Sequence, residues 1–219
     1  MKNWKDRVCL FLASAGGLGL MPIAPGSFGA LLGVGMFAAV ELWVPIYPFV
    51  PFKIALNMPW WLPPPTWQVL ALVICFVVVC VAHFLLTPWA QRYWKTSDPS
   101  HFVLDEVAGY LVTLILLSPL LYTLDYDWSQ VDPSGMHPKT GYYRSLPISL
   151  TWTLAIAGFF LFRIFDIIKL PGARYIDRNW HGAWGVLLDD IVSGIYAAGA
   201  VWFAARFWSA LFAGGGNGF

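Results

Sequence analysis

A chain of 219 residues has the length of one domain. Hydrophobic residues make up 58% of it and charged residues 11%, against about 45–50% and about 25% in soluble domains, so the composition is that of a membrane protein. The formal net charge of +1 leaves no basic excess to draw nucleic acid, and 13 Trp among many Phe and Tyr fit aromatic belts at a bilayer interface.

At the N-terminus, Lys2, Lys5 and Arg7 followed by Val8–Leu12 and Ala13-Ser14-Ala15 imitate a signal peptide. The apolar stretch is short for one, and Asp6 interrupts its basic end. Trp4, Val8, Phe11, Leu12 and Ala15 fall at helical spacing, so an uncleaved amphipathic helix at the membrane surface is expected. A glycine-rich segment, 16–29, then leads into the first of five apolar runs at 26–44, 67–88, 105–124, 147–167 and 186–211. About 20 apolar residues suffice to cross a bilayer. The expected fold is therefore an all-α membrane bundle of about five spans, one domain over 1–219. The linker 45–66, rich in proline and carrying Trp60 and Trp61, is expected as an irregular loop against the interface. Residues 125–146 read as a polar loop and the tail from Gly214 as disordered. Cys9, Cys75 and Cys80 lack metal-ligand spacing and read as small buried hydrophobes.

Basic residues orient the five-span arrangement. Lys2, Lys5, Arg7, Arg92, Lys95, Arg163, Lys169, Arg174 and Arg178 fall on one side, and Lys53, Lys139 and Arg144 on the other. The positive-inside bias puts the N-terminus in the cytoplasm. Asp98, Asp105, Glu106, Asp166, Lys169, Asp189, Asp190 and the glycine-rich segment then all land at the cytoplasmic face. Carboxylates are costly beside hydrocarbon, so their convergence in so acid-poor a chain reads as one functional site.

Asp105-Glu106 and Asp189-Asp190 open the third and fifth runs. Neighbouring helical positions point about 100° apart, so one acid of each pair faces the bundle and the other points sideways. Gly109 and Gly194 follow one turn later and leave room for an ion, a headgroup or a close helix. Complementing the helix dipole is the alternative role for these acids. That alternative fails for Asp166, at the C-terminal end of the fourth run, where the dipole disfavours an anion. Arg163, Lys169 or a metal must offset it. Arg163 is either a plain ion-pair partner or a planar fork for a phosphate, with Lys169 as a second, point-charge contact. Asp98-Pro99 alone is an ordinary turn signal, and gains interest from Asp105-Glu106 seven residues later.

In the glycine-rich segment, Gly17, Gly19, Pro25, Gly26 and Ser27 are candidates for substrate binding, because glycines let backbone amides approach an anion and Ser27 suits a helix N-cap. A flexible lead-in to the helix accounts for the same residues equally well, and no Lys follows to make a Walker A loop. Pro133-Ser134-Gly135-Met136-His137 and Asp125-Tyr126-Asp127 are near misses to known phosphatase motifs in the wrong context. His83 reads as a packed, hydrogen-bonded histidine. His101 and His181 lie near the acids without zinc-site spacing.

Four segments together resemble the phosphatidylglycerophosphatase A family of bacterial inner-membrane lipid phosphatases. They are Gly17-x-Gly19-x-x-Pro22-x-Ala24-Pro25-Gly26-Ser27-x-Gly29; Asp98-Pro99-Ser100-His101-Phe102-Val103-Leu104-Asp105-Glu106 with Gly109; Phe162-Arg163-Ile164-Phe165-Asp166-Ile167-Ile168-Lys169; and Gly185-Val186-Leu187-Leu188-Asp189-Asp190 with Gly194. They occur in the family's order and cover most of the chain. The family's KPxP appears here as Lys169-Leu170-Pro171-Gly172, and a double glycine before the last acidic pair as Gly182-Ala183. The resemblance implies magnesium-dependent hydrolysis of phosphatidylglycerophosphate to phosphatidylglycerol and phosphate at the cytoplasmic face of the inner membrane.

The residue chemistry agrees with that implication. Asp105, Glu106, Asp166, Asp189 and Asp190 are the expected Mg²⁺ ligands, oxygen donors suited to a hard cation. Asp98, Arg163 and Lys169 complete the expected catalytic set, the two cations stabilising the phosphoryl oxygens. Two other classes compete. A CDP-alcohol phosphotransferase needs a continuous DGxxAR…GxxxDxxxD pattern that is absent, and an ion-coupled transporter places its acids near the midplane rather than at helix ends.

Overall fold

The computed structural model describes residues 3–43, 66–125, 148–180 and 182–213. The linker, the 125–146 loop beyond Asp125, His181 and the glycine-rich tail fall outside these. Among the described residues there are seven α-helices and no strand. These are α1 (Trp4–Ala13), α2 (Pro25–Trp43), α3 (Thr66–Trp94), α4 (Leu104–Asp125), α5 (Ile148–Ile168), α6 (Pro171–Asn179) and α7 (Ala183–Ala213), with a 3₁₀ turn at Leu18–Leu20. The all-α expectation holds, and the described residues of each of the five apolar runs are helical. Two stretches, Gln68–Trp94 of α3 and Ala183–Phe207 of α7, are long and apolar enough to cross a membrane.

α4 is the central helix and packs against α2, α3, α5 and α7. Val107, Ala108, Tyr110, Leu111 and Leu114 are all buried, so this helix is apolar around its circumference because it has neighbours around its circumference. α3 behaves oppositely. Leu70, Ile74, Val77, Val78, Val81 and Leu85 form an exposed stripe along one side, at the spacing of a single helix face. So long an apolar stripe is unfavourable in water and fits hydrocarbon.

α3 runs past Pro88, where the apolar run ends, to Trp94. The Thr87 hydroxyl donates to the His83 carbonyl at 2.6 Å and Arg92 Nε to the Pro88 carbonyl at 2.8 Å, so side chains serve carbonyls around the proline. α1 exposes Trp4, Val8, Phe11 and Leu12, as an interfacial helix should, and Trp89 Nε1 of α3 donates to its Asp6 at 3.1 Å. α6 was not expected from the sequence. Pro171 opens it, and Ala173 is fully buried where it rests on α7.

Candidate active site

The site begins with a helix crossing. A Cβ on Gly194 of α7 would lie 2.3 Å from the Gly109 carbonyl oxygen of α4, and one on Gly109 would lie 2.7 Å from the Asp190 carbonyl oxygen. Backbone therefore touches backbone, which only glycine permits here. Thr113 Oγ1 stands 3.2 Å from both the Gly109 and the Gly194 carbonyl oxygens and ties the crossing together. Of the three roles open to these glycines, the structure assigns a close helix.

That crossing brings the acids of the two helices together. Asp105, Glu106 and Asp190 each offer a carboxylate oxygen, and the three oxygens lie within 4.8 Å of one another. Asp105 Oδ1 and Glu106 Oε2 are buried without a hydrogen-bond partner among the described residues. Such groups are strongly unfavourable without a counter-charge or proton, and three carboxylate oxygens this close together fit a hard divalent cation. On α7, Asp190 joins the cluster, and Asp189 is buried as well and borders the same cavity beside Lys169. On α4, both acids of the first helical turn reach the cluster.

Arg163 lies beside these acids, on α5. Its Nε donates to Ser27 Oγ at 3.2 Å, and its Nη1 lies 2.8 Å from Asp166 Oδ2. The ion pair is close, but Nη1 is not aligned for a hydrogen bond and keeps that donor unspent. Asp166 is thus offset by Arg163, one of the three partners open to it. Gly26 completes this corner, since a Cβ there would lie 2.2 Å from Glu106 Oε1 and 2.8 Å from Arg163 Nη2. Ser27 is not the N-cap. α2 begins at Pro25, and Ser27 sits in its first turn, bonded to Arg163.

Lys169 ends α5 in a left-handed conformation, φ 51°, which costs a non-glycine residue roughly 1–2 kcal/mol. Its ammonium donates to Asp189 Oδ2 at 2.7 Å and also to Asp177 Oδ1, a residue of α6. Burial alone would lower the Lys169 pKa, but hydrogen bonds and charge from Asp177 and Asp189 outweigh it, so the ammonium is held protonated above its ordinary range. Asp98 opens to solvent on one side while desolvation by the cavity wall raises its carboxyl pKa. Lys169 opposes that rise, and Asp177 and Asp166 add to it.

These groups line one cavity of about 500 Å³. Asp98, Asp105, Glu106, Arg163, Asp166, Lys169, Asp189 and Asp190 all border it, as do Pro25, Gly26 and Ser27. Gly17 and Gly19 do not. Gly17 takes φ 95° at the start of the 3₁₀ turn, and a Cβ on Gly19 would lie 2.7 Å from the His101 carbonyl oxygen. Both shape a turn seated on the 98–103 loop, where a ring nitrogen of His101 (Nδ1) stands 2.9 Å from the Gly19 carbonyl. His83 is buried with Nε2 2.9 Å from the Ala183 carbonyl, which ties α3 to the start of α7. Cys9, Cys75 and Cys80 are free and none borders the cavity. Asp177 does border it, and the sequence reading missed it. Its signal was an acid eight residues after Lys169, inside a short amphipathic stretch.

Converging carboxylates, a guanidinium and an ammonium in one cavity, carried on long apolar helices, are groups suited to a phosphatase that works at a membrane. The family model described as phosphatidylglycerophosphatase A matches residues 11–205, and the chain belongs to that family. Phosphatidylglycerophosphatase A of Escherichia coli is 29% identical over 197 residues, 90% of this chain and 83% of the relative. A Bacteroides thetaiotaomicron protein provisionally named a phosphatidylinositol-3-phosphatase is 32% identical over 184 residues, 83% of each chain. Phosphatidylglycerophosphatase A of Haemophilus influenzae is 42% identical over 60 residues, 27% of this chain and 36% of the relative. No solved structure matches the chain.

Proposed function

We propose that this enzyme hydrolyses the terminal phosphomonoester of phosphatidylglycerophosphate, releasing phosphatidylglycerol and phosphate, with Mg²⁺ as cofactor. The carrying observation is the convergence of Asp105, Glu106 and Asp190 oxygens within 4.8 Å, with buried lone pairs unpartnered, beside Arg163. These three residues would hold the ion. When bound, Mg²⁺ supplies positive charge to a dianionic phosphomonoester and lowers the pKa of water. Asp166 and Asp189, the further ligands expected from the sequence, border the same cavity and pair with the two cationic side chains.

The chain's own residues account for binding and charge. Arg163, braced by Ser27 through Nε and by Asp166 through Nη1, borders the cavity and offers its guanidinium to a phosphoryl oxygen. Charge on the equatorial oxygens of the transferring group is thereby met by a donor already in place, with little reorganisation. Lys169 supplies a second positive charge across the cavity. Gly26 keeps the floor open where any side chain would displace Glu106 or Arg163.

The lipid substrate, together with the exposed apolar stripe of α3, supports a multi-pass protein of the bacterial inner membrane. In this reading α2, α3, α4, α5 and α7 are the five spans, α1 lies at the interface, and the cavity opens to the cytoplasm. Orthophosphate release by purified protein, compared across lipids, tests the substrate. Phosphatidylglycerophosphate should be turned over at least tenfold faster than phosphatidylinositol 3-phosphate or glycerol 3-phosphate, the scale on which a fitted polar site discriminates. Faster release from the inositol lipid would transfer the assignment to that substrate. Release from none of the three would remove the lipid phosphatase reading.

A further inference from the structure

We propose that Asp177, on the short surface helix α6, is a positioning residue that holds the Lys169 ammonium across the mouth of the cavity, ready for the incoming phosphate. This rests on the reading above that Lys169 meets the substrate.

The geometry is a bracket. Lys169 stands where α5 ends, and its left-handed backbone breaks the helical spacing that would pair it with Asp166 three residues earlier. Its ammonium instead bridges two carboxylates from later elements. Asp189 lies inside the site with its side chain 8% exposed, and Asp177 lies at the rim with its side chain 45% exposed. The two acids are fixed relative to each other because α6 rests on α7. Ala173 is fully buried, and a Cβ on Gly172 would lie 3.3 Å from Val192 Cγ1 of α7.

With Asp189 as its one anionic partner, the ammonium would be drawn towards the buried carboxylates and neutralise charge there. Asp177 pulls from the opposite side and keeps the positive charge at the rim, where a phosphorylated headgroup arrives. Held this way, the lysine loses little freedom when substrate binds, which lowers the entropic cost of each encounter. Asp177 acts through Lys169 and repels the phosphate itself. Its removal therefore distinguishes positioning from direct binding.

The test is steady-state kinetics of the full-length protein on phosphatidylglycerophosphate in mixed micelles. The variants are Asp177→Asn, Asp177→Glu, Lys169→Met and the double variant Asp177→Asn/Lys169→Met, with melting temperatures alongside. Asp177→Asn should raise KM about tenfold while kcat stays within about threefold, a loss of binding rather than chemistry. Asp177→Glu should recover most of the KM. In the Lys169→Met background, Asp177→Asn should add nothing, because the residue it positions is gone. Melting should be unchanged by Asp177→Asn, since the side chain is half-exposed. An unaltered KM in Asp177→Asn beside an impaired Lys169→Met overturns the proposal, as does an equal effect of Asp177→Asn in both backgrounds. Wild-type kinetics for Lys169→Met would instead sink the substrate role of Lys169, and the positioning role with it.

Discussion

Arg163→Lys should lower turnover about 10²-fold with little change in stability, the scale seen when one oriented donor to a developing anion is removed. The arginine makes two separable kinds of contact. Its charge offsets Asp166 at 2.8 Å, and its planar fork reaches Ser27 through Nε while bordering the cavity where a phosphoryl oxygen would bind. Lysine keeps the charge near Asp166 but has no fork, so it cannot serve both sides at once. Keeping the ion pair limits the stability change to about 1 kcal/mol, or roughly 2–4 °C in melting temperature at this chain length. Phosphate release and thermal melting in the same detergent give the answer. If activity falls only in step with melting, the Arg163–Asp166 pair is scaffolding and α5 contributes no chemistry.

Gly194→Ala should do the opposite and lose stability and activity together. The added methyl would lie 2.3 Å from the Gly109 carbonyl oxygen, and neither backbone can yield without separating α4 from α7. Overpacking of this kind costs about 1–3 kcal/mol. Separation also moves Asp190 away from Asp105 and Glu106, so residual activity should need a higher Mg²⁺ concentration for its half-maximal rate. Gly199→Ala on the same helix is the control. A Cβ there meets nothing within 4 Å, so the gain in helix propensity, up to about 1 kcal/mol, should leave stability equal or higher. Equal behaviour of the two variants would contradict the tight crossing.

The contrast between these positions shows what the sequence makes legible. Five apolar runs become five helices because hydrophobic length is a long-range, redundant signal, robust to errors at the ends. The acids of α4 and α7 stand out for the same reason, as rare charges in a chain with 11% charged residues. Helical spacing also correctly joins Arg163 to Asp166. It misleads at Lys169, because a left-handed residue at the end of α5 breaks the i, i+3 geometry and delivers the ammonium to Asp177 and Asp189. Nor does the sequence distinguish a glycine that admits an anion from one that admits a neighbouring backbone. Gly26 borders the cavity, whereas Gly19 lies against the His101 carbonyl, and tertiary contact alone separates them. α6 is invisible to hydropathy because it has nine residues and a polar outer face, and Asp177 goes unnoticed with it.

The reading depends most on a divalent cation held by Asp105, Glu106 and Asp190. The most direct measurement is orthophosphate release from phosphatidylglycerophosphate by the purified protein in excess chelator, followed by titration with Mg²⁺. Release should be abolished by the chelator and restored by Mg²⁺ or Mn²⁺, hard ions suited to oxygen ligands. Asp190→Asn should shift the restoring concentration upward by about tenfold or more, the usual penalty for a lost charged ligand contact. Full activity in excess chelator, or an unshifted Mg²⁺ requirement in Asp190→Asn, would contradict it.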